Sequence, residues 1–354
     1  MRWLLYVVVL AVAAGMLSLQ GCGGGGGNDG GQDGGDCSDP NGVATWNGGP
    51  PATLTATGLY QGNVADPQQL ASGVRLFRPA HELWSDGAQK SRWVKLPPCA
   101  TVDTSDMDHW SMPVGTRFWK EFMVNGQRVE TRLIARTGPA SSTDPGFIFA
   151  AYQWNASQTD ATLVTGGVQN ANGTQHDIPS LSQCGLCHGS LPEHILGFSA
   201  IQLTHPATGS RDEVTLDTLA AEGRLSAAPA DGGYPVPGNS VEAAALGYLH
   251  ANCGNCHHPA GIVFDYVPFN LRLEVGQRTV DQTSTYASAV RVPVERYYRP
   301  GITHRIAPGN PDASCVSARI SVRAPGEQMP PLATETVDTN GVAAVNAWIR
   351  SMPP

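Results

Sequence analysis

Between about residues 45 and 178, apolar and aromatic residues come in short runs divided by turn residues; toward the C-terminus they recur every three or four positions. The first pattern predicts strands and the second helices. Arg117–Val124 and Gln127–Arg136 flank Asn125-Gly126, a strong short-range hairpin signal. A two-residue loop sets Phe118 opposite Leu133 and Phe122 opposite Val129 on a core face, with Trp119 opposite Arg132 on the other. Further strand-like runs at Arg92–Leu96, Phe147–Trp154 and Ala161–Val164 extend this to a β-sandwich-like region. Downstream, Asn239-Ser240-Val241-Glu242 reads as a capped helix start running through Leu249, and Asn310-Pro311 opens a helix through Cys315, Ala318 and Ile320. Val342, Val345, Trp348, Ile349 and Met352 mark an amphipathic terminal helix. No helix is expected before Cys184, because Asp177-Ile178-Pro179-Ser180 intervenes. The expected class is α+β and multidomain: a β-sandwich-like region, then a mainly α-helical one.

The N-terminus changes this picture. MRWLLYVVVLAVAAGMLSLQGC has Arg2 and then an apolar run, the form of an export signal. Leu19-Gln20-Gly21-Cys22 resembles a bacterial lipobox, which makes residues 1–21 a lipoprotein signal peptide and Cys22 the lipidated residue. Gly23, rather than Asp, after that Cys favours the outer membrane. A transmembrane helix is the alternative, but the run is slightly short of the roughly 20 residues needed to span. Residues 22–44 are Gly- and Asp-rich and read as a flexible tether. The net charge of -8 excludes nucleic acid as the natural partner and suits steering toward basic redox proteins.

Eight cysteines carry the candidate chemistry. Four lie in Cys184-Gly185-Leu186-Cys187-His188 and Cys253-Gly254-Asn255-Cys256-His257. In c-type cytochromes the two thiols of such a motif bind the haem covalently and the following His ligates its iron. The expected cofactors are therefore two covalently bound haem c groups, at Cys184, Cys187 and His188 and at Cys253, Cys256 and His257. Four thiols on one zinc, or two redox-active disulfides, are the competing readings. His258 reads as a surface or propionate-side residue. Of the remaining cysteines, Cys37 pairs with Cys99 and Cys315 stays a buried thiol in a helix; a Cys99–Cys315 link is the alternative.

Helix, haem motif, long loop, helix, Met329-Pro330 and terminal helix is an order that resembles class I cytochromes c. The resemblance implies Met329 as the second haem's distal ligand, a thioether that raises the reduction potential, and the Pro268 carbonyl as acceptor for the proximal imidazole. The segments PPATLTATGLY, LWSDGAQKSRW, MPVGTRFWKEF, YQWNASQTDATLV, LGFSAIQL, YLHANCGNCHHPAG and PGNPDASCVSARI, in this order, resemble a family of largely uncharacterised two-haem bacterial lipoproteins. That family usually has Phe where this chain has Met112, which makes Met112 a core residue. The domains expected are 45–178 (β-rich), 179–235 (first haem segment) and 236–354 (cytochrome c-like, second haem). Around the first haem the distal ligand stays undecided among His194, His205, His250 and an open position. His81 to Ala88 is a polar and aromatic cluster for binding, or else a capped turn with Trp84 in the core. The expected activity is electron transfer between redox partner proteins by a membrane-tethered carrier. A haem enzyme working at the first motif, or a binding module fed by a dehydrogenase, are the alternatives.

Overall fold

The computed structural model describes Gly42, Trp46 and residues 49–354 apart from 142–143, 209–211 and 333. The signal segment, Cys22, the tether and Cys37 lie outside the described residues. Six strands, β1 (Arg75–Leu76), β2 (Gln89–Lys95), β3 (Arg117–Val124), β4 (Gln127–Arg136), β5 (Phe147–Trp154) and β6 (Ala161–Val164), form one antiparallel sheet in which each pairs with the next. Asn125 and Gly126 take left-handed backbone, φ 51° and 78°, and close the β3–β4 hairpin at the expected position. The expected register is corrected. Met123 pairs with Arg128 but Phe122 pairs with Glu130, so Val129 is an extra, bulged residue. Beyond it every pair shifts by one, to Phe118 with Ile134 and Trp119 with Leu133.

The expected fold class is also corrected. Among the described residues no second sheet stacks on the first; both faces of the six-stranded sheet are covered by loops and helices. On one face Trp93, Trp119, Leu133, Tyr152 and Trp154 pack with Leu54, Leu59 and Tyr60. On the other, Val94 and Phe118 join Phe77, Trp110, Met112 and Phe198, and Phe198 is edge-on to both Phe77 and Phe118 at 5.0 Å. This second cluster continues without a break into Leu246, Leu249, Trp348 and Ile349 of the C-terminal part. A shared core makes Asp36–Pro354 one compact unit, where separate domains would each bury their own.

The C-terminal part is not mainly helical. Its α-helices follow α1 (Leu181–His188) and α2 (Leu216–Ala221), and are α3 (Ser240–Asn252), α4 (Ser284–Ala289), α5 (Cys315–Ile320) and α6 (Thr339–Ser351). Between them run long irregular segments, as the abundance of Gly and Pro would give. The helix expected from Asn310 is split. Asn310 Oδ1 caps the amides of Asp312 and Ala313 (3.1 and 3.2 Å) over a 3-10 turn, and α5 starts afresh at Cys315. The long helices α3 and α6 pack together through Gly341, whose missing Cβ would stand 2.1 Å from the Tyr248 ring. No helix among the described residues is long and apolar enough to cross a membrane.

Candidate functional site

The first motif forms a helix of its own. Gln183 Oε1 accepts the Ser180 amide at 2.9 Å and starts α1 despite Pro179. Spacings of three and four place Cys184, Cys187 and His188 along one side of this helix. The Nδ1 of His188 donates to the His194 carbonyl at 2.8 Å, and the Nδ1 of His194 to the His188 carbonyl at 2.7 Å. Phe149 packs 5.5 Å from the His188 ring. Burial pulls the His188 pKa down to about 4, helped by Arg132 and Lys120 and opposed by the His194 carbonyl. The imidazole is therefore neutral at pH 7 with its Nε2 lone pair free, the state a metal ligand needs.

The second motif follows α3, whose start is a closed capping box: Asn239 Oδ1 takes the Val241 and Glu242 amides, and Glu242 Oε2 takes the Asn239 amide at 2.8 Å. Cys253 is the helix C-cap, and the Cys253 carbonyl accepts the amides of Cys256 and His257 in the turn beyond. Here an open cavity is lined by Cys253, Cys256, His257, Phe269, Arg305, Arg319 and Met329. His257 stands edge-on to Phe269 at 5.1 Å, and its buried Nδ1 has no hydrogen-bond partner. The carbonyl expected to accept from it, that of Pro268, instead accepts from Arg305 at 2.8 Å. Burial lowers the His257 pKa to about 4. Met329 enters the cavity from a turn anchored by its own amide on the Arg319 carbonyl at 2.9 Å. Cys315 lines the same cavity as a half-buried free thiol.

Folding joins the two motifs, which are 69 residues apart in the chain by their first cysteines (Cys184 and Cys253). Cys187 and Cys256 lie near enough to influence each other: Cys256, with Arg132 and Lys120 nearby, favours the Cys187 thiolate, and Cys187 in turn raises the Cys256 pKa. His258 is buried and bonds Ser190 Oγ through Nε2 at 3.2 Å, which corrects its expected surface position. Glu193, buried just after the first motif, holds Arg272 (2.5 Å) and His109 (3.0 Å) from the other side. The loops behind the motifs thus form one wall.

The three histidines considered for the first motif are placed otherwise. His194 lies against the Nδ1 edge of His188, away from its Nε2. Both ring nitrogens of His205 face carbonyls, of Pro206 and Arg78. His250 is buried with Nδ1 accepting the Leu273 amide at 3.1 Å. Cys99 is disulfide-bonded while Cys315 is free, so the Cys99–Cys315 alternative is ruled out.

Sequence reasoning missed Glu193, Arg272, Glu130 and Lys120. The last two were visible only as charges inside aromatic-rich strands, a sign that a buried face needs them. The segment His81–Ala88 acts as a clamp. Asp86 Oδ1 accepts from the Glu335 and Thr336 amides, both at 2.8 Å, and the Trp84 indole donates to the Thr336 carbonyl from a half-buried position outside the core.

Among the described residues no three His, Cys, Asp or Glu side chains gather as a metal-ligand cluster. A haem brings ring nitrogens of its own and asks the protein for only two axial groups. Compared with family models, curated proteins and solved structures, the chain finds no match.

Proposed function

We propose that the chain is an exported, lipid-anchored electron carrier with two covalently bound haem c groups, tethered through Cys22 to the outer membrane. The observation that carries this reading is the pair of Cys-x-x-Cys-His motifs, brought side by side by the Ser190–His258 bond, with the His188 imidazole oriented through Nδ1 on the His194 carbonyl. Cys184 and Cys187 would hold one haem with His188 as axial ligand; Cys253 and Cys256 would hold the other between His257 and Met329. The residues present fit such groups: two half-buried neutral imidazoles, with a thioether lining the open cavity beside His257. Each haem, when bound, supplies a one-electron ferric/ferrous couple. The chain's part is to orient His188 through the His194 carbonyl, to shield the imidazoles with Phe149 and Phe269, and to keep the two sites adjacent.

Pyridine haemochrome assay and intact mass should give two haems per chain, with one lost in Cys184→Ala/Cys187→Ala. A purified, exported chain with no covalent haem would sink the proposal. Cys22→Ala should move the protein from the membrane to the soluble fraction.

A second reading, ligand binding at the first haem, is supported by the other partners that His194, His205 and His250 hold. A carbon monoxide shift in the reduced protein that persists when the second motif is removed would support it; six-coordinate spectra at both sites would refute it.

A further inference from the structure

On the sheet face that meets α1, three cations stand in register on neighbouring strands: Arg92 of β2 opposite Lys120 of β3, and Lys120 opposite Arg132 of β4. Like charges directly opposite in a sheet repel. Lys90 adds a fourth cation to the face. Glu82 meets Arg92 at 3.0 Å and Lys90 at 3.3 Å, and Glu130 meets Arg132 through two contacts of 2.7 and 3.0 Å while also bonding His176 at 2.7 Å. Both carboxylates are thus committed; Asp338 also acts on Lys90, and four cations against three anions still leave one cation in excess. Lys120 makes no hydrogen bond or ion pair with any described residue, and its closest partner is the Phe122 ring at 4.8 Å. Its side chain is largely enclosed by the surrounding chain and keeps partial access to solvent. Cys187 and His188 both feel Lys120 and Arg132, so the cations face the first motif.

For the sheet alone this arrangement is unfavourable; an apolar residue of similar length would fill the place without repulsion. We propose that Lys120, with Arg132 beside it, recognises a carboxylate or other small oxyanion held between the sheet and the first Cys-x-x-Cys-His motif. Two sources share that chemistry: the propionates of the haem attached at Cys184 and Cys187, and a free anion drawn to that haem. The inference rests on the reading of the first motif as a haem site. An ammonium beside a bound oxyanion makes a charge-assisted hydrogen bond, stronger than a neutral one, in a place where water competes poorly. Such an anion also removes the like-charge repulsion along the row.

The test uses the full-length holoprotein, Lys120→Met and Lys120→Arg, with haem content measured first. A wild-type chain lacking haem at the first motif overturns the haem reading itself and this inference with it; two haems followed by the negative result below overturn this inference alone. The ferric proteins are titrated with nitrite and with formate while the Soret band is followed, and both midpoint potentials are measured. A saturable Soret shift weakened about tenfold or more in K120M and restored in K120R assigns the site to a free anion. A lower midpoint potential of one haem in K120M, restored in K120R and with no anion-dependent shift in the wild type, assigns it to the propionates. Potentials and anion responses in K120M that match the wild type overturn the proposal.

Discussion

Glu121 projects from β3 into the aromatic face of the sheet, where the Tyr60 hydroxyl donates to it at 3.4 Å. Burial raises its pKa to about 7 against the pull of Arg128. A carboxyl whose folded pKa is raised holds its proton longer in the folded state than in the unfolded one. Its contribution is full below the unfolded value near 4.5 and is lost as pH rises through 7. Glu121→Gln should therefore raise stability at pH 8 by about 1–3 kcal/mol and flatten the pH dependence between 4.5 and 7, measured by denaturant unfolding. His250 runs the other way. Burial lowers its pKa to about 3, so the unfolded chain takes up a proton below pH 6.5 that the folded chain refuses. Stability falls as the solution is acidified from 6.5 toward 3. His250→Asn, whose Oδ1 can still accept the Leu273 amide, should remove about 2 kcal/mol of the loss between pH 6.5 and 5. Residue identities made the motif thiols and their histidines legible in the sequence, because spacing within five residues states the chemistry. Lys120 was not legible as a special residue, because its lack of a counter-charge depends on which strands lie beside it.

Elements were legible where their signals are local. The Asn125-Gly126 turn, the Asn239 cap and the terminal repeat all produced β3, β4, α3 and α6 where expected. The bulge at Val129 left no trace in the pattern, yet it moved Trp119 from Arg132 to Leu133 and so decided which face each side chain took. The helix of the first motif was hidden by Pro179, which stands just before the Ser180 cap and does not interrupt the turn. Two elements meet through contacts that can be tested singly. Gly341→Ala on α6 would push a methyl into the Tyr248 ring on α3 and should cost about 1–3 kcal/mol in thermal or denaturant unfolding. Asp86→Ala removes the acceptor for the Glu335 and Thr336 amides and the Thr336 hydroxyl at 3.0 Å. This should cost about 1–2 kcal/mol and loosen the segment after Met329, seen as faster amide exchange at Glu335 and Thr336.

Across the whole molecule, one apolar core links the sheet to the C-terminal helices and draws the two motifs together. If both carry haem, their proximity should give an exciton couplet in Soret circular dichroism that disappears when either pair of motif cysteines is replaced. A single symmetric Soret band in the wild type would count against adjacent haems. Read along the chain, the two Cys-x-x-Cys-His motifs, the hairpin and the helix caps were legible, because each depends on residues within a few positions of one another. The separate β-sandwich and helical cytochrome-like domain were not: a strand's periodicity does not say whether its second face meets another sheet or a loop. Equally, the approach of Cys187 to Cys256, of Ser190 to His258 and of Arg92, Lys120 and Arg132 in one row follows from packing and register over separations of 12 to 69 residues. Such distant juxtapositions arise only when the chain closes on a shared core.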